Sequence, residues 1–270
     1  MGKRLRENFM APAIKGGDSN DGPRLRGVIF DMDGVLVDSH HVHRKAWRRF
    51  LQTLGHDLSD SDLDFILDGR KRSDILRHFL GSCSDADIEE FGRRKDCIFR
   101  QMQLEIRPIP GVLRLVSELY LQGATLALAT SASRSRAHST LHGLGLADCF
   151  SIVVTGDEVP VGKPDSAIYK LACVRIGLEP HCLLAVEDAL AGVQAAVTSG
   201  LCCIGVASHE TKEKLTAAGA VHVVPDFESI SASDLEKILV NCDTPADSRV
   251  SARWRGSKTN FVSADSRRLC

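Results

Sequence analysis

Asp31-Met32-Asp33-Gly34-Val35-Leu36-Val37-Asp38-Ser39 follows directly on the mostly apolar run Leu25 to Phe30, so two carboxylates hang from the end of a strand. Open α/β sheets bind ligands in the crevice outside the carboxyl ends of their strands, and Gly34 sits where such a chain must turn sharply. Taken alone, Asp-x-Asp-Gly also describes an ordinary turn, because Asp and Gly are common loop residues. It does not describe a calcium loop: that pattern needs Gly at its sixth position and Glu at its twelfth, where Leu36 and Val42 stand.

Further along, apolar runs of strand length at 25–30, 124–129, 151–154, 183–186, 202–206 and 221–224 alternate with helical patterns. Alternation of this kind predicts the α/β class, with a Rossmann-like parallel sheet as its core. Val112, Leu115, Val116 and Leu119 fall at i, i+3, i+4 and i+7 after Gly111, and Leu190, Val193, Ala196 and Val197 share one face before Gly200. Each helix therefore buries one stripe. Between 41 and 108 the strand-like runs vanish and charged helical segments such as Asp85 to Leu104 take over, which predicts an inserted, all-helical cap domain. The expected layout is a disordered tail at 1–23, a core from 24–40 and 109–240, the cap at 41–108, and a second disordered tail at 241–270. Hinges are expected at Asp38 to His40 and at Arg107 to Pro110.

Polar groups recur where later strands should end: Thr130 after 124–129, Lys163 ahead of Pro164, and Glu187-Asp188 after 183–186. Each has a plain reading by itself, since Thr can cap a helix, Lys-Pro fits a solvated turn, and Glu-Asp fits a helix start. Together, in this order, they make the chain resemble the haloacid dehalogenase superfamily of aspartate-nucleophile phosphotransferases over roughly residues 24 to 230, with Asp31/Asp33, Thr130, Lys163 and Glu187/Asp188 as its four motifs.

The chemistry behind the motifs is elementary. Carboxylates gathered at one edge repel one another, by roughly 4 kcal/mol per close pair at about 4 Å with an effective dielectric of about 20. Such a cluster calls for a cation, and all-oxygen ligands suit Mg²⁺, which favours one or two carboxylates together with a substrate phosphate. By the resemblance, Asp31 is the nucleophile that forms an aspartyl-phosphate, and Asp33 is the general acid/base. Thr130 and Lys163 neutralise the phosphoryl oxygens. Asp31, the Asp33 backbone carbonyl and Asp188 would hold the Mg²⁺, with Glu187 close by. Members that cleave carbon-halogen bonds lack the second Asp, so dehalogenase activity is excluded.

The cap is expected to choose the substrate, because closure keeps water from the covalent phosphate. Four of its residues stand where β-phosphoglucomutase-like members place substrate contacts: His43, Trp47, Arg72 and Lys95. His43 also fits the sugar-phosphate phosphatases of the same branch, Trp47 equally reads as core, and Arg72 and Lys95 also read as solvated charges. Mutases of the branch follow their second motif with a Ser and an Asn that grip the distal phosphate. Ala132 and Arg134 align there, leaving Ser131, Ser133 or Arg134 to compensate. That departure favours a Mg²⁺-dependent phosphatase of small phosphorylated sugars over a β-phosphoglucomutase-like isomerase, with a non-catalytic binding module as a third reading.

Composition agrees with a globular enzyme. The 270 residues carry 43% hydrophobic residues and a formal net charge of -1, which offers no global attraction to a polyanion such as nucleic acid. Arg44, Lys45, Arg48 and Arg49 accordingly read as a solvated face, and the His40, His41 and His43 cluster lacks the spacing of a zinc site. No apolar run reaches the roughly 18 residues of a membrane span, and the first 23 residues lack a signal-peptide pattern. The expectation is a cytoplasmic monomer whose partner is a small phosphorylated metabolite. Nine cysteines without a Cys-x-x-Cys pair predict neither a disulfide framework nor zinc, and Cys202 and Cys203 read as core.

Overall fold

Gly27–Phe30 (β1), four buried residues, runs out of the crevice end of the molecule into the acidic loop. A two-residue strand, β2 (Val37–Asp38), then leads into four helices, α1 (His40–Gln52), α2 (Asp60–Leu67), α3 (Arg72–Leu80) and α4 (Asp85–Gln101). The chain returns through β3 (Arg107–Pro108) and continues as α5 (Val112–Leu121), β4 (Thr125–Thr130), α6 (Arg134–Gly143), β5 (Ile152–Thr155) and α7 (Ala167–Ile176). It ends with β6 (Leu183–Glu187), α8 (Leu190–Thr198), β7 (Cys202–Val206), α9 (Lys212–Ala217), β8 (His222–Val224) and α10 (Ala232–Cys242). This computed structural model describes residues 24–207 and 211–242. The expected tails at 1–23 and from 243 onward lie outside those residues, and Asn241 and Cys242, assigned to the second tail, instead finish α10.

Six strands form one parallel sheet in the order β5-β4-β1-β6-β7-β8, as the alternation predicts. Connections leave β1 in opposite directions, toward β4 and β5 on one side and β6, β7 and β8 on the other. That reversal opens a crevice at the carboxyl end of β1. Register then brings the motif residues level: Phe30 lies beside both Leu128 and Val186, so Asp31, Thr130 and Glu187 leave the sheet at one edge. Period-two alternation divides the core between the faces. Val28, Phe30, Leu128 and Val186 pack with α5, α6 and α10, while Ile29, Ala127, Ala129 and Ala185 pack with α7 and α8. Cys202 and Cys203 enter the two opposite cores.

The inserted helices have a core of their own around Trp47, Phe50, Leu51, Leu63 and Leu76. Ser59 and Ser84 begin α2 and α4 with reciprocal capping boxes to Asp62 and Asp87, the Ser-x-x-Asp spacing satisfying otherwise unpaired N–H groups. β2 and β3 pair antiparallel, Val37 with Pro108 and Asp38 with Arg107, so both connections to the sheet domain run side by side. Arg44, Lys45 and Arg48 pair with Asp64, Glu105 and Asp60 at 3.1, 2.7 and 3.4 Å, all at the surface. Three of the four basic residues read from sequence as a solvated face are thus paired with acids at the surface.

Gly111 starts α5 in the left-handed region at φ 77°, and a Cβ there would strike the backbone of Phe227 and Glu228. Left-handed backbone costs a non-glycine residue about 1–2 kcal/mol and overpacking about 1–3 kcal/mol more. Gly111→Ala is therefore expected to lower unfolding free energy by about 2–5 kcal/mol in a urea titration; a loss below about 0.5 kcal/mol would show that the Phe227 loop yields freely.

Candidate active site

Lys163, only 1% exposed, organises the crevice. Its Nζ donates to Asp31 Oδ1 at 2.8 Å, to the Ala129 carbonyl at 3.2 Å, and to Glu187 Oε1. Tyr169 adds a second donor to the same Glu187 oxygen, at 2.7 Å. Ligand oxygens of Asp31, Glu187 and Asp188 come within 4.8 Å of one another. Burial pushes the Asp31 carboxyl well above the usual range; Lys163 opposes this, while Glu187, Asp188 and Asp33 add to it. Burial works to lower the Lys163 pKa, yet Asp31 and Glu187 outweigh it and hold the ammonium protonated. Three carboxylates thus crowd one lysine, an excess of negative charge in an all-oxygen donor set that fits a hard divalent cation such as Mg²⁺.

Gly34 makes the crowding feasible. It adopts φ 76°, and a Cβ on it would overlap the Asp188 carboxylate. Asp188 also meets His40, whose Nε2 lies 3.0 Å from Asp188 Oδ2. Burial draws the His40 pKa down, but the Asp188 charge and hydrogen bond override it and push the imidazole up to about 9.

Asp33 occupies a separate nest. Ser39 Oγ donates to its Oδ1 at 2.6 Å, and Arg136 grips both oxygens at 2.7 and 2.6 Å, a bidentate fork. Burial alone would raise the Asp33 pKa, and Arg136 with His43 overcomes it, leaving the carboxyl well below its usual value. His43 Nε2 approaches Asp33 Oδ1 at 3.3 Å, and its Nδ1 lies 3.1 Å from Lys95 Nζ. Burial, then the Lys95 charge, draws the His43 pKa down to about 3, so the imidazole is neutral. With Lys95 as donor to Nδ1, the proton sits on Nε2 facing Asp33. Lys95 itself, 4% exposed, is drawn down to about 7 by burial and by Arg136.

The helical domain is closed over this edge. Lys71 Nζ donates to the Val159 carbonyl at 2.6 Å, Ser131 Oγ to the Gly69 carbonyl at 2.6 Å, and the Ala191 N–H to Asp68 Oδ1 at 3.1 Å. Thr130 is buried, with its Oγ1 accepting from the Ala132 N–H at 3.2 Å. Trp47 is both core and wall: it packs in the helical core, borders the cleft, and has Lys95 Nζ 5.3 Å from its ring. Arg72 borders the cleft while paired to Asp96 at 2.7 Å. Ser133, also at the cleft, caps α6 by accepting the Arg136 N–H.

Arg134 is the one sequence-proposed side chain that faces elsewhere. Its N–H goes to Asp157 at 2.8 Å and its guanidinium to Glu158 at 3.0 Å, outside the cleft. Arg136, two residues on, reaches Asp33 instead. Sequence reading missed Arg136, and also His40, Ser39, Tyr169 and Asp96. Two of these had a signal: Ser39 and His40 directly extend the acidic loop that was singled out. For Arg136 the spacing offered none, because two arginines two residues apart differ only in which side of α6 meets the helical domain.

Comparison with known proteins agrees with this geometry. A phosphorylated carbohydrates phosphatase from Thermotoga maritima is 31% identical over 222 residues, covering 80% of this chain and 100% of that one. β-Phosphoglucomutase from Bacillus subtilis is 29% identical over 191 residues, covering 67% of this chain and 83% of that one. The crystal structure of CbbY from Rhodobacter sphaeroides in complex with phosphate superimposes with a TM-score of 0.69 at 27% identity, over 78% of this chain and 99% of that one. The family profile itself matches residues 25–200, a span holding all four carboxyl-edge loops, and by that match the chain belongs to the haloacid dehalogenase-like hydrolases.

Proposed function

We propose that the protein is a Mg²⁺-dependent phosphatase of small phosphorylated sugars, working as a cytoplasmic monomer. The observation that carries this reading is the convergence of Asp31, Lys163, Glu187 and Asp188 at one sheet edge, beneath a closed helical domain, in a chain similar to a phosphorylated carbohydrates phosphatase. Asp31, Asp188 and the Asp33 backbone carbonyl, with Glu187 beside them, would hold the ion, which when bound supplies positive charge to the phosphoryl oxygens.

The remaining work falls to the side chains. Lys163 fixes Asp31 through Oδ1 and leaves the second carboxylate oxygen to attack phosphorus in line. Substrate entry displaces Arg136 from Asp33 and lets that carboxylate take up a proton from solvent; the P–O bond to the sugar then breaks as the Asp31–P bond forms, and Asp33 protonates the departing sugar oxygen. In the second half Asp33 takes a proton from water, which attacks the aspartyl-phosphate and returns Asp31 with release of inorganic phosphate. Thr130 Oγ and the Lys163 ammonium face the charge that builds on the phosphoryl oxygens. Ser39, His43 and Arg136 keep the Asp33 carboxylate in place until substrate arrives.

One observation bears on the mutase alternative. A mutase must hold a bisphosphate intermediate while it turns over, and the positions where the branch's mutases grip the distal phosphate carry Ala132, which has no polar side chain, and Arg134, which is bound to Glu158. Hydrolysis makes no such demand. Given a hexose 1-phosphate and magnesium, the protein is expected to release free phosphate; accumulation of the hexose 6-phosphate instead would assign it to the mutases.

Asp31→Asn should lower kcat by at least about 10⁴-fold with the circular dichroism spectrum unchanged. Near-normal turnover in that variant would remove Asp31 as nucleophile, and wild-type protein inert toward every phosphate ester, with the variant keeping the cellular role, would favour a non-catalytic module. Asp33→Asn should slow both leaving-group departure and release of the covalent phosphate by roughly 10²- to 10⁴-fold. Rapid-quench measurement of the phospho-enzyme tests this, and unchanged rates for both steps would strip Asp33 of its proton-carrying role.

A further inference from the structure

The closed cleft over Asp31 and Asp33 has a volume of only about 80 Å³, whereas pockets for small organic ligands typically run to about 300–1,000 Å³. Immediately beside it lies a second cavity of about 430 Å³, between α4 of the helical domain and α6 of the sheet domain. Asp96, Ser133 and Arg136 border both cavities, so one wall separates the reaction site from the larger space. Phe99 joins them physically: it lies on the groove side, yet its ring sits 4.4 Å from that of His43 and 5.5 Å from the Arg136 guanidinium.

The lining of this groove is chemically specific. Phe99, Ile106 and Leu144 give it an apolar floor. Ser135 and Ser139 stand one helical turn apart on α6, with Thr140 next to them and Gln103 across from the helical domain. The side chains of these four make no hydrogen bond among the described residues. An apolar floor with unspent hydroxyl and amide groups at its edge matches a sugar ring, which has C–H faces and a rim of hydroxyls. Of the cations that line the groove, Arg107 and Arg136 are engaged, while the exposed Arg100 makes no side-chain hydrogen bond or ion pair among the described residues. Arg107 donates to the Leu104 and Ile106 carbonyls, Arg136 is forked onto Asp33, and Asp96 adds a negative charge.

We propose that this groove is a subsite for a polyhydroxylated second unit, so that the preferred substrate class is a phosphorylated disaccharide or similar two-ring phosphate. The proposal rests on the sugar-phosphatase reading and narrows it. The phosphoryl group occupies the small cleft, and the sugar units extend past the Arg136 and Asp96 side chains onto the Phe99 floor. The phosphoryl chemistry is unchanged.

The test compares glucose 6-phosphate with the 6-phosphates of maltose, cellobiose and trehalose, using the full chain with magnesium. At least one disaccharide phosphate should exceed glucose 6-phosphate by tenfold or more in kcat/KM. Ser139→Trp, a bulky change at an exposed position, should cut that ratio by tenfold, and Gln103→Ala should cut it severalfold. A wild-type preference for glucose 6-phosphate over all three, or a ratio that both variants leave intact, overturns the groove. Calorimetric binding of the same four compounds to Asp31→Asn protein separates this from the catalytic reading. Tighter binding of a disaccharide phosphate, erased by adding Ser139→Trp, with no turnover in the wild type, would keep the subsite and sink the phosphatase; equal binding of all four would sink the subsite.

Discussion

One ammonium group among buried carboxylates sets the terms for the rest of the molecule. Lys163, Asp31 and Glu187 are 1%, 6% and 0% exposed, and each charge taken from water carries a penalty of several kcal/mol that only close partners offset. Losing one side of such a pair typically costs about 3–5 kcal/mol, so the arrangement persists only if every member is held. The sheet does the holding: parallel register makes β1, β4 and β6 end level, and Tyr169 from α7 satisfies the oxygen of Glu187 that Lys163 shares. Three carboxylates, Asp31, Glu187 and Asp188, thus face two cations, Lys163 and His40. A site short of one positive charge is primed for a cation and, with it, for a phosphate.

A second electrostatic balance governs Asp33, and it comes from the other domain as well as from the sheet. Arg136 belongs to α6, whereas His43 and Lys95 belong to the helical insertion, so the environment of this carboxylate exists in full only when the two domains meet. Besides His43 to Asp33 and His40 to Asp188, direct bonds between the domains come from Lys71, Ser131 and Asp68. β2 and β3 form a paired two-strand connection between the two domains. The two domains together thus complete the hydrogen-bonded surroundings of Asp33.

The fold was legible because its signals are local and periodic. Strand runs such as 124–129 and 202–206 coincide with β4 and β7 to within a residue, and the change of pattern between 41 and 108 coincides with α1 to α4. The acidic loop, Thr130, Lys163 and Glu187-Asp188 were legible because each terminates a strand or heads a turn, where an uncompensated polar group stands out. Residues whose roles depend on packing between domains were not. Arg134 and Arg136 are equivalent by composition, and only the rotation of α6 against α4 sends one to Glu158 and the other to Asp33. Tyr169 reads as an ordinary core aromatic of α7, and its hydroxyl gains meaning only from the buried oxygen beside it. Arg72 and Lys95 read from sequence as substrate contacts or as solvated charges; for Lys95, burial over the rings of Trp47 and Phe99, which a charged run cannot show, removes the solvated reading.

That last placement links charge to specificity. A lysine stem laid against aromatic rings gains from cation–π contact while its head stays available to the neutral His43. Phe99 serves Lys95, His43 and Arg136 at once, so the same ring that stabilises the cations of the reaction site also floors the adjoining groove. Anything seated on that floor would touch the groups that position Asp33, and binding energy from a remote part of the substrate can then be expressed at the reacting bond. The side chains of Asp96, Ser133 and Arg136 thus border both the cleft at Asp33 and the adjoining groove.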